Sequence, residues 1–97
     1  MLRHIVMMKF SDREKAKTLA LEVKKMLEDL VPVIKELHRM EVGLNINTKP
    51  SAFDLVLTAD FDDEKGLNIY RAHPDHVKIL DFMKDTVEKT AVVDYFI

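Results

Sequence analysis

Two histidines and a tyrosine lie close together in the segment Tyr70-Arg71-Ala72-His73-Pro74-Asp75-His76, the densest run of chemically active side chains in this chain. The ordinary imidazole pKa of about 6.5 suits His76 to proton transfer near neutral pH. A tyrosine hydroxyl such as that of Tyr70 can donate a hydrogen bond to a carbonyl or enolate oxygen. The segment is therefore a candidate for acid–base chemistry on a carbonyl compound.

The same segment has two other interpretations. In the structural one, His73 caps a helix, Pro74 occupies its first turn and His76 packs against its neighbours. In the other, His73 and His76 form a metal pair, but no third ligand follows at a metal-binding spacing. We expect no metal and no cofactor.

A further histidine lies in the first predicted strand, residues 2–10, whose apolar positions alternate. Leu2, His4, Val6, Met8 and Phe10 share one face, and His4 is the only polar member of that face. It is either a core histidine with a satisfied hydrogen bond or part of a pocket. His38 precedes the second strand and is expected to be solvated.

The acidic residues and the missing residue types narrow the chemistry. The carboxylates at 60 and 62–64 fit helix capping and surface solvation, and Asp94, in the last strand, is expected to pair with Arg3 or Lys9. Two glycines are too few for a phosphate-binding loop. With no cysteine, the chain has no disulfide, thiolate nucleophile or zinc ribbon.

The first half of the chain predicts a strand, a helix and a hairpin. Ser11-Asp12-Arg13-Glu14 matches a capping box. A helical apolar stripe follows, and a short turn of helix is expected at 33–37, after Pro32. Alternation predicts strands over 40–46 and 53–61, joined by a loop of about five residues at 47–51. The stripe consists of Ala16, Leu19, Ala20, Val23, Met26, Leu27 and Leu30.

The second half predicts two helical segments and a strand. The first segment runs over 65–72, and Pro74 restarts the helix because proline favours its first turn and disfavours helix in the residue before it. Residues 90–97 form the last strand. The second segment has a broad apolar face: Val77, Ile79, Leu80, Phe82, Met83 and Val87.

The element order is that of an α+β, ferredoxin-like β-α-β-β-α-β antiparallel sandwich over residues 1–97, a single domain. Its helices cover one face of the sheet, yet the first and third strands carry apolar residues on both faces. A bare apolar sheet face is unusual on a monomer. We therefore expect a homodimer that packs sheet face against sheet face.

Composition excludes several classes of partner. The 97 residues have a net charge of −2 with both signs interspersed, which argues against nucleic-acid binding and against a basic membrane clamp. The apolar run near the N-terminus is too short for a signal peptide or a membrane span. We expect a cytoplasmic protein.

Three segments together resemble the stress-responsive dimeric α/β-barrel domain (Dabb) family. They are the opening strand from Arg3 to Phe10, the motif Tyr70-x-x-His73-Pro74-x-His76, and the closing Val92-Val93-Asp94-Tyr95. The similarity extends over essentially the whole chain. It implies the ferredoxin-like fold and a dimeric barrel.

What the family does is varied. Some plant members are stress proteins, and one, olivetolic acid cyclase, closes a polyketide without a metal. The resemblance to that enzyme implies His76 as general base, Tyr70 as its partner and His4 as a pocket histidine. Val6 and Met8 would line the pocket beyond His4, and His73 is a further binding candidate.

Two hypotheses follow, and the residues leave both open. The chain is either a metal-free cyclase or isomerase acting on a carbonyl or polyketide-like substrate, or a non-enzymatic stress or ligand-binding dimer with structural histidines. They differ in what replacing His76 would change: turnover in the first case, stability in the second.

Overall fold

A computed structural model describes residues 1–97 as one four-stranded sheet with three helices on one side. The strands are β1 (Leu2–Phe10), β2 (Arg39–Leu44), β3 (Leu55–Phe61) and β4 (Val87–Phe96). The helices are α1 (Ala16–Glu28), α2 (Glu64–Ala72) and α3 (Pro74–Met83). No helix is both long and apolar enough to cross a membrane.

The sheet is antiparallel throughout, in the order β2-β3-β1-β4. This order confirms the ferredoxin-like α+β fold. In the β1–β4 register His4 lies opposite Asp94, and Arg3 lies opposite Tyr95. Because side chains alternate along a strand, His4 and Asp94 share the helix-facing side, whereas Arg3 and Tyr95 face the other way.

The predicted capping box is wrong. α1 begins at Ala16, and no side chain caps it at Lys15. Asp12 accepts hydrogen bonds from the backbone N–H groups of Glu14 and Lys15 instead of Ser11 bonding to Glu14. Aspartate readily forms such local turns, and this one delays the helix by one turn.

The hairpin and the segment before it also differ from the prediction. Residues 33–37 form hydrogen-bonded turns rather than helix, and the loop between β2 and β3 spans residues 45–54, about twice the predicted length. Ile46 lies in this loop and is 97% exposed, so it extends no strand. Asn45 and Asn47 accept backbone N–H bonds from residues two positions ahead, and these turns end β2 early.

The break between α2 and α3 occurs where His73-Pro74 predicts it. α3 does not bury the whole apolar face predicted for it, however. Val77, Leu80 and Phe82 of that face are substantially exposed. Ile79 and Met83 are its buried residues. They join a core of 21 residues between the sheet and the helices, which also includes Phe10, Val23 and Phe61.

Apolar residues also lie on the side of the sheet that no helix covers, hereafter the open sheet face. Met7, Val56, Val93 and Tyr95 contribute to it and are each between 38% and 59% exposed. β4 is largely exposed, because it is an edge strand that pairs with β1 alone.

Candidate acid–base site

The proline break at His73-Pro74 determines the hydrogen bonds of both histidines in the motif. His73 has extended backbone dihedrals, φ −63° and ψ 134°, as is usual before proline. Its side-chain Nδ1 accepts from the N–H of Asp75 at 3.1 Å and so caps the N-terminus of α3. The structural role predicted for His73 is therefore present.

The break also leaves carbonyl groups at the end of α2 without their usual helical donors. His76 Nδ1 lies 3.2 Å from the carbonyl oxygen of Arg71. A carbonyl can only accept, so Nδ1 carries the proton and Nε2 of the neutral ring has a free lone pair. Burial is the largest cause that lowers the pKa of His76, which keeps the ring neutral near pH 7.

Tyr70, from α2, packs directly against this ring. The ring centroids of Tyr70 and His76 are 4.2 Å apart, with the planes tilted by 43°. Tyr70 is 1% exposed and also contacts Phe61. Burial raises the pKa of its hydroxyl, which therefore stays protonated as a hydrogen-bond donor.

The Tyr70 hydroxyl makes no hydrogen bond to the chain. Every polar side-chain atom that is completely shielded from solvent does have a hydrogen-bond partner, so the Tyr70 oxygen is not completely shielded. Its oxygen therefore keeps some contact with solvent, while the ring is enclosed. A buried tyrosine normally bonds its hydroxyl to the protein. The Tyr70 hydroxyl is thus a donor without an acceptor in the chain.

His4 belongs to a second hydrogen-bond network beside the first. Its Nδ1 lies 2.5 Å from Asp94 Oδ1, and the other carboxylate oxygen lies 3.4 Å from Arg71 Nη2. His4 is 7% exposed and lies close enough to lower the pKa of His76. Because a carboxylate only accepts, Nδ1 of His4 carries a proton.

The expected pairing of Asp94 with Arg3 or Lys9 is wrong. Arg3 and Lys9 project from β1 on the face opposite to His4, so they lie on the wrong side of the sheet for Asp94. Arg3 instead makes a bidentate ion pair with Asp60, at 2.8 and 2.9 Å. Asp60 is 4% exposed, so surface solvation does not explain it.

The remaining predicted positions lie near the site or outside it. Val6 and Met8 are on the face of β1 that carries His4, each 7% exposed within the core. His38 is exposed and lies 3.0 Å from Asp62. No cluster of three or more histidine and carboxylate side chains is arranged to hold a metal ion.

A cavity of about 300 Å³ lies between α2 and the end of β4, with Arg71 and Asp94 in its wall. None of the five principal cavities is lined by His4, Tyr70 or His76. Two larger cavities flank the 45–54 loop at the opposite end of the sheet. The 300 Å³ cavity thus borders the histidine networks through Arg71 and Asp94.

Sequence reasoning missed Asp94 and Arg71 as members of this site. Asp94 could have been found from the strand register, since it lies opposite His4 on the helix-facing side. The sequence indicates a role for Arg71 less clearly, because its contacts with Asp94 and His76 depend on how the helix break orients α2 against β4 and α3.

Comparison with protein families gives a match over nearly the whole chain. The family model for the stress responsive A/B barrel domain (Dabb) matches residues 2–97. A search of the curated proteins finds no match.

Several solved structures are similar. A dimeric ferredoxin-like protein from Bacteroides fragilis is 31% identical, with a TM-score of 0.88 over 97% of this chain and 93% of its own. A dimeric ferredoxin-like protein from Thermobifida fusca is 25% identical, with a TM-score of 0.84 over 99% and 90%. A Dabb family protein from Mesorhizobium loti is 26% identical, with a TM-score of 0.73 over 98% and 94%.

Proposed function

We propose that this chain, which belongs to the stress responsive A/B barrel domain family, acts as a homodimer that removes a proton next to the carbonyl group of a small substrate. His76 is the general base and Tyr70 the donor to the substrate oxygen, with His4 as a polar wall. The product is a cyclised or isomerised carbonyl compound. One observation carries this proposal: the bond from His76 Nδ1 to the Arg71 carbonyl leaves Nε2 as an unprotonated nitrogen.

The proposed step balances within these two side chains and the substrate. Nε2 of His76 takes the proton as the C–H bond breaks, and the electron pair moves into the carbonyl to form an enolate. The Tyr70 hydroxyl donates a hydrogen bond to the enolate oxygen. In a cyclisation the enolate carbon adds to a second carbonyl group of the same substrate, and the imidazolium, still bonded through Nδ1 to Arg71, gives its proton to the alkoxide that forms. In an isomerisation the imidazolium gives the proton to a different atom of the enolate.

The homodimer rests on the open sheet face. Met7, Val56 and Val93 form an exposed apolar surface there, and two similar solved proteins are described as dimeric. Packing two copies face to face would remove these side chains from water.

The substrate proposed is small and carries an apolar group beside its carbonyl. The helix-facing side of β4 supports this, because Val92 and Phe96 are exposed on either side of Asp94. The 300 Å³ cavity beside Arg71 and Asp94 also has Phe96 and Leu67 in its wall, and its volume is at the lower end of the range typical of ligand sites. His76 and Tyr70 are not part of that wall, so the proposed substrate would have to extend from this cavity to the two rings.

Deuterium exchange into a ketone tests the chemistry without knowledge of the natural substrate. Acetophenone and 2-heptanone are incubated with the protein in D₂O, and loss of the α-proton signal is followed by NMR. We expect exchange above the buffer rate for the wild type and for His38→Ala, and the buffer rate for His76→Ala. A wild-type rate equal to buffer with both ketones would overturn the proposal.

A non-enzymatic ligand-binding dimer is the second candidate. The observation that favours it is that His73 and His76 both satisfy backbone groups at the helix break, which is a structural use of each ring. In that case His76→Ala lowers stability by about 1–3 kcal/mol, and no ketone exchanges its α-protons. An unchanged melting temperature combined with lost exchange excludes this candidate.

A further inference from the structure

Arg71 is the one residue that contacts both histidine networks. Its backbone carbonyl accepts from His76 Nδ1, and its guanidinium reaches the Asp94 carboxylate that holds His4. It lies one residue before the end of α2, at the break that separates α2 from α3. Resting on the function proposed above, we propose that the Arg71 side chain is a positioning residue that fixes Asp94 and, through it, the tautomer and orientation of His4.

Asp94 needs such support because of where it lies. β4 is an edge strand whose only strand neighbour is β1, and the Asp94 side chain is 32% exposed. A carboxylate on such a strand can rotate toward water and release His4. Arg71 occupies Oδ2 from the helical side while His4 occupies Oδ1, so the two bonds together select one carboxylate rotamer.

The two bonds of Asp94 are unequal in length. The His4–Asp94 contact is 2.5 Å, whereas the Arg71–Asp94 contact is 3.4 Å with the Arg71 side chain 48% exposed. A half-exposed ion pair of this kind contributes little to overall stability. Arg71 therefore acts on the arrangement of His4 rather than on the fold.

The same arrangement separates the effects of the Arg71 side chain from those of its backbone. His76 bonds to the carbonyl oxygen, which every substitution at position 71 retains. His4 depends on the guanidinium. Removing the guanidinium should therefore disturb His4 while His76 keeps its Nδ1–H tautomer, a pattern that general loosening of the site would not produce.

The experiment is an NMR measurement of the histidine rings in the intact protein. Proton–nitrogen correlation spectra of the imidazoles give the tautomer of each ring and the solvent exchange rate of each Nδ1 proton. The variants are Arg71→Met, which keeps the aliphatic stem, and Arg71→Lys, which keeps the charge. Arg39→Met is the matched control, because Arg39 is a similarly exposed arginine that also lies near a carboxylate, Asp60.

We expect the His4 Nδ1 proton of Arg71→Met to exchange about two- to fivefold faster than in the wild type, the factor that corresponds to one half-exposed ion pair. A second His4 tautomer should appear as well. His76 keeps its Nδ1–H form, Arg71→Lys restores part of the effect, and Arg39→Met matches the wild type. The inference is overturned if His4 is unchanged in Arg71→Met, or if His76 loses its Nδ1–H tautomer together with His4.

This result is independent of the ketone experiment. Failure of the wild type to exchange ketone protons overturns the proposed function while the His4 spectra still report on Arg71. If exchange is observed but Arg71→Met leaves His4 unaltered, the function stands and the role of Arg71 does not.

Discussion

Tyr70 and His76 lie on different helices, yet their rings are in contact, with centroids 4.2 Å apart. The contact exists because the chain breaks at His73-Pro74 and begins a new helix there. On one continuous helix, residues six apart would be separated by about 120° around the axis and by nearly two turns along it, since each residue turns about 100°. The break therefore allows the buried Tyr70 ring to pack against the His76 ring.

Replacing Tyr70 with phenylalanine should separate function from stability. The Tyr70 hydroxyl makes no hydrogen bond within the chain, so Tyr70→Phe should change the free energy of unfolding by less than about 0.5 kcal/mol. Ketone exchange should fall by about 100-fold, the cost of losing one donor to an oxyanion. Urea unfolding and the exchange rate measure the two effects. A large loss of stability would show that the hydroxyl serves the fold.

The stability of the protein should fall in mild acid because of His76. Burial holds the pKa of His76 below its ordinary value, so between the two values the unfolded chain binds more protons than the folded one. The contribution of the neutral His76 ring to the free energy of unfolding is therefore complete above about pH 6.5 and is lost as the pH falls below that value. Urea unfolding at pH 7.5 and pH 5.0 should show a smaller acid-induced loss in His76→Gln than in the wild type.

The control for this measurement is His38→Gln, which replaces an exposed histidine. The pKa values of Asp54 and Asp60 are lowered by hydrogen bonds from Arg13 and Arg3 respectively. Their effects appear at still lower pH and are common to all three proteins, so they cancel in the comparison. Equal acid-induced losses in the wild type and His76→Gln would contradict the prediction.

Replacing Asp94 with asparagine should weaken the hold on His4 without unfolding the protein. In Asp94→Asn the side-chain amide oxygen could still accept from His4 Nδ1, but the charge that strengthens this bond and the Arg71 contact is gone. We expect the free energy of unfolding to fall by about 1 kcal/mol, with faster solvent exchange of the His4 Nδ1 proton. Urea unfolding and imidazole NMR spectra measure both changes; an unaltered His4 signal would argue against this role.

Charge on the open sheet face should dissociate the proposed dimer. Val93 is 59% exposed there, and Val93→Lys would place an ammonium group, and its symmetry mate, in the apolar interface. Light scattering should give the mass of a dimer for the wild type and of a monomer for Val93→Lys. Val33→Lys, at a 51% exposed position outside the sheet, should remain dimeric. A Val93→Lys dimer would show that the copies associate through another surface.

The sequence by itself determined the fold class, because alternation and helical periodicity are local properties of the chain. β1 has the predicted bounds, and Pro74 begins α3 as the proline rule requires. Loop lengths and helix starts were less well predicted, since Asp12, Asn45 and Asn47 redirect the backbone through hydrogen bonds that compete with regular structure.

Only the tertiary structure decided which charged groups meet. Asp94 and His4 are ninety residues apart, and the pairing of β1 with β4 puts them opposite each other on one face. Arg3, one residue from His4, is directed to the other face and pairs with Asp60. A strand pattern predicts which residues share a face of their own strand, but the partner across the sheet depends on register, which is set by long-range packing.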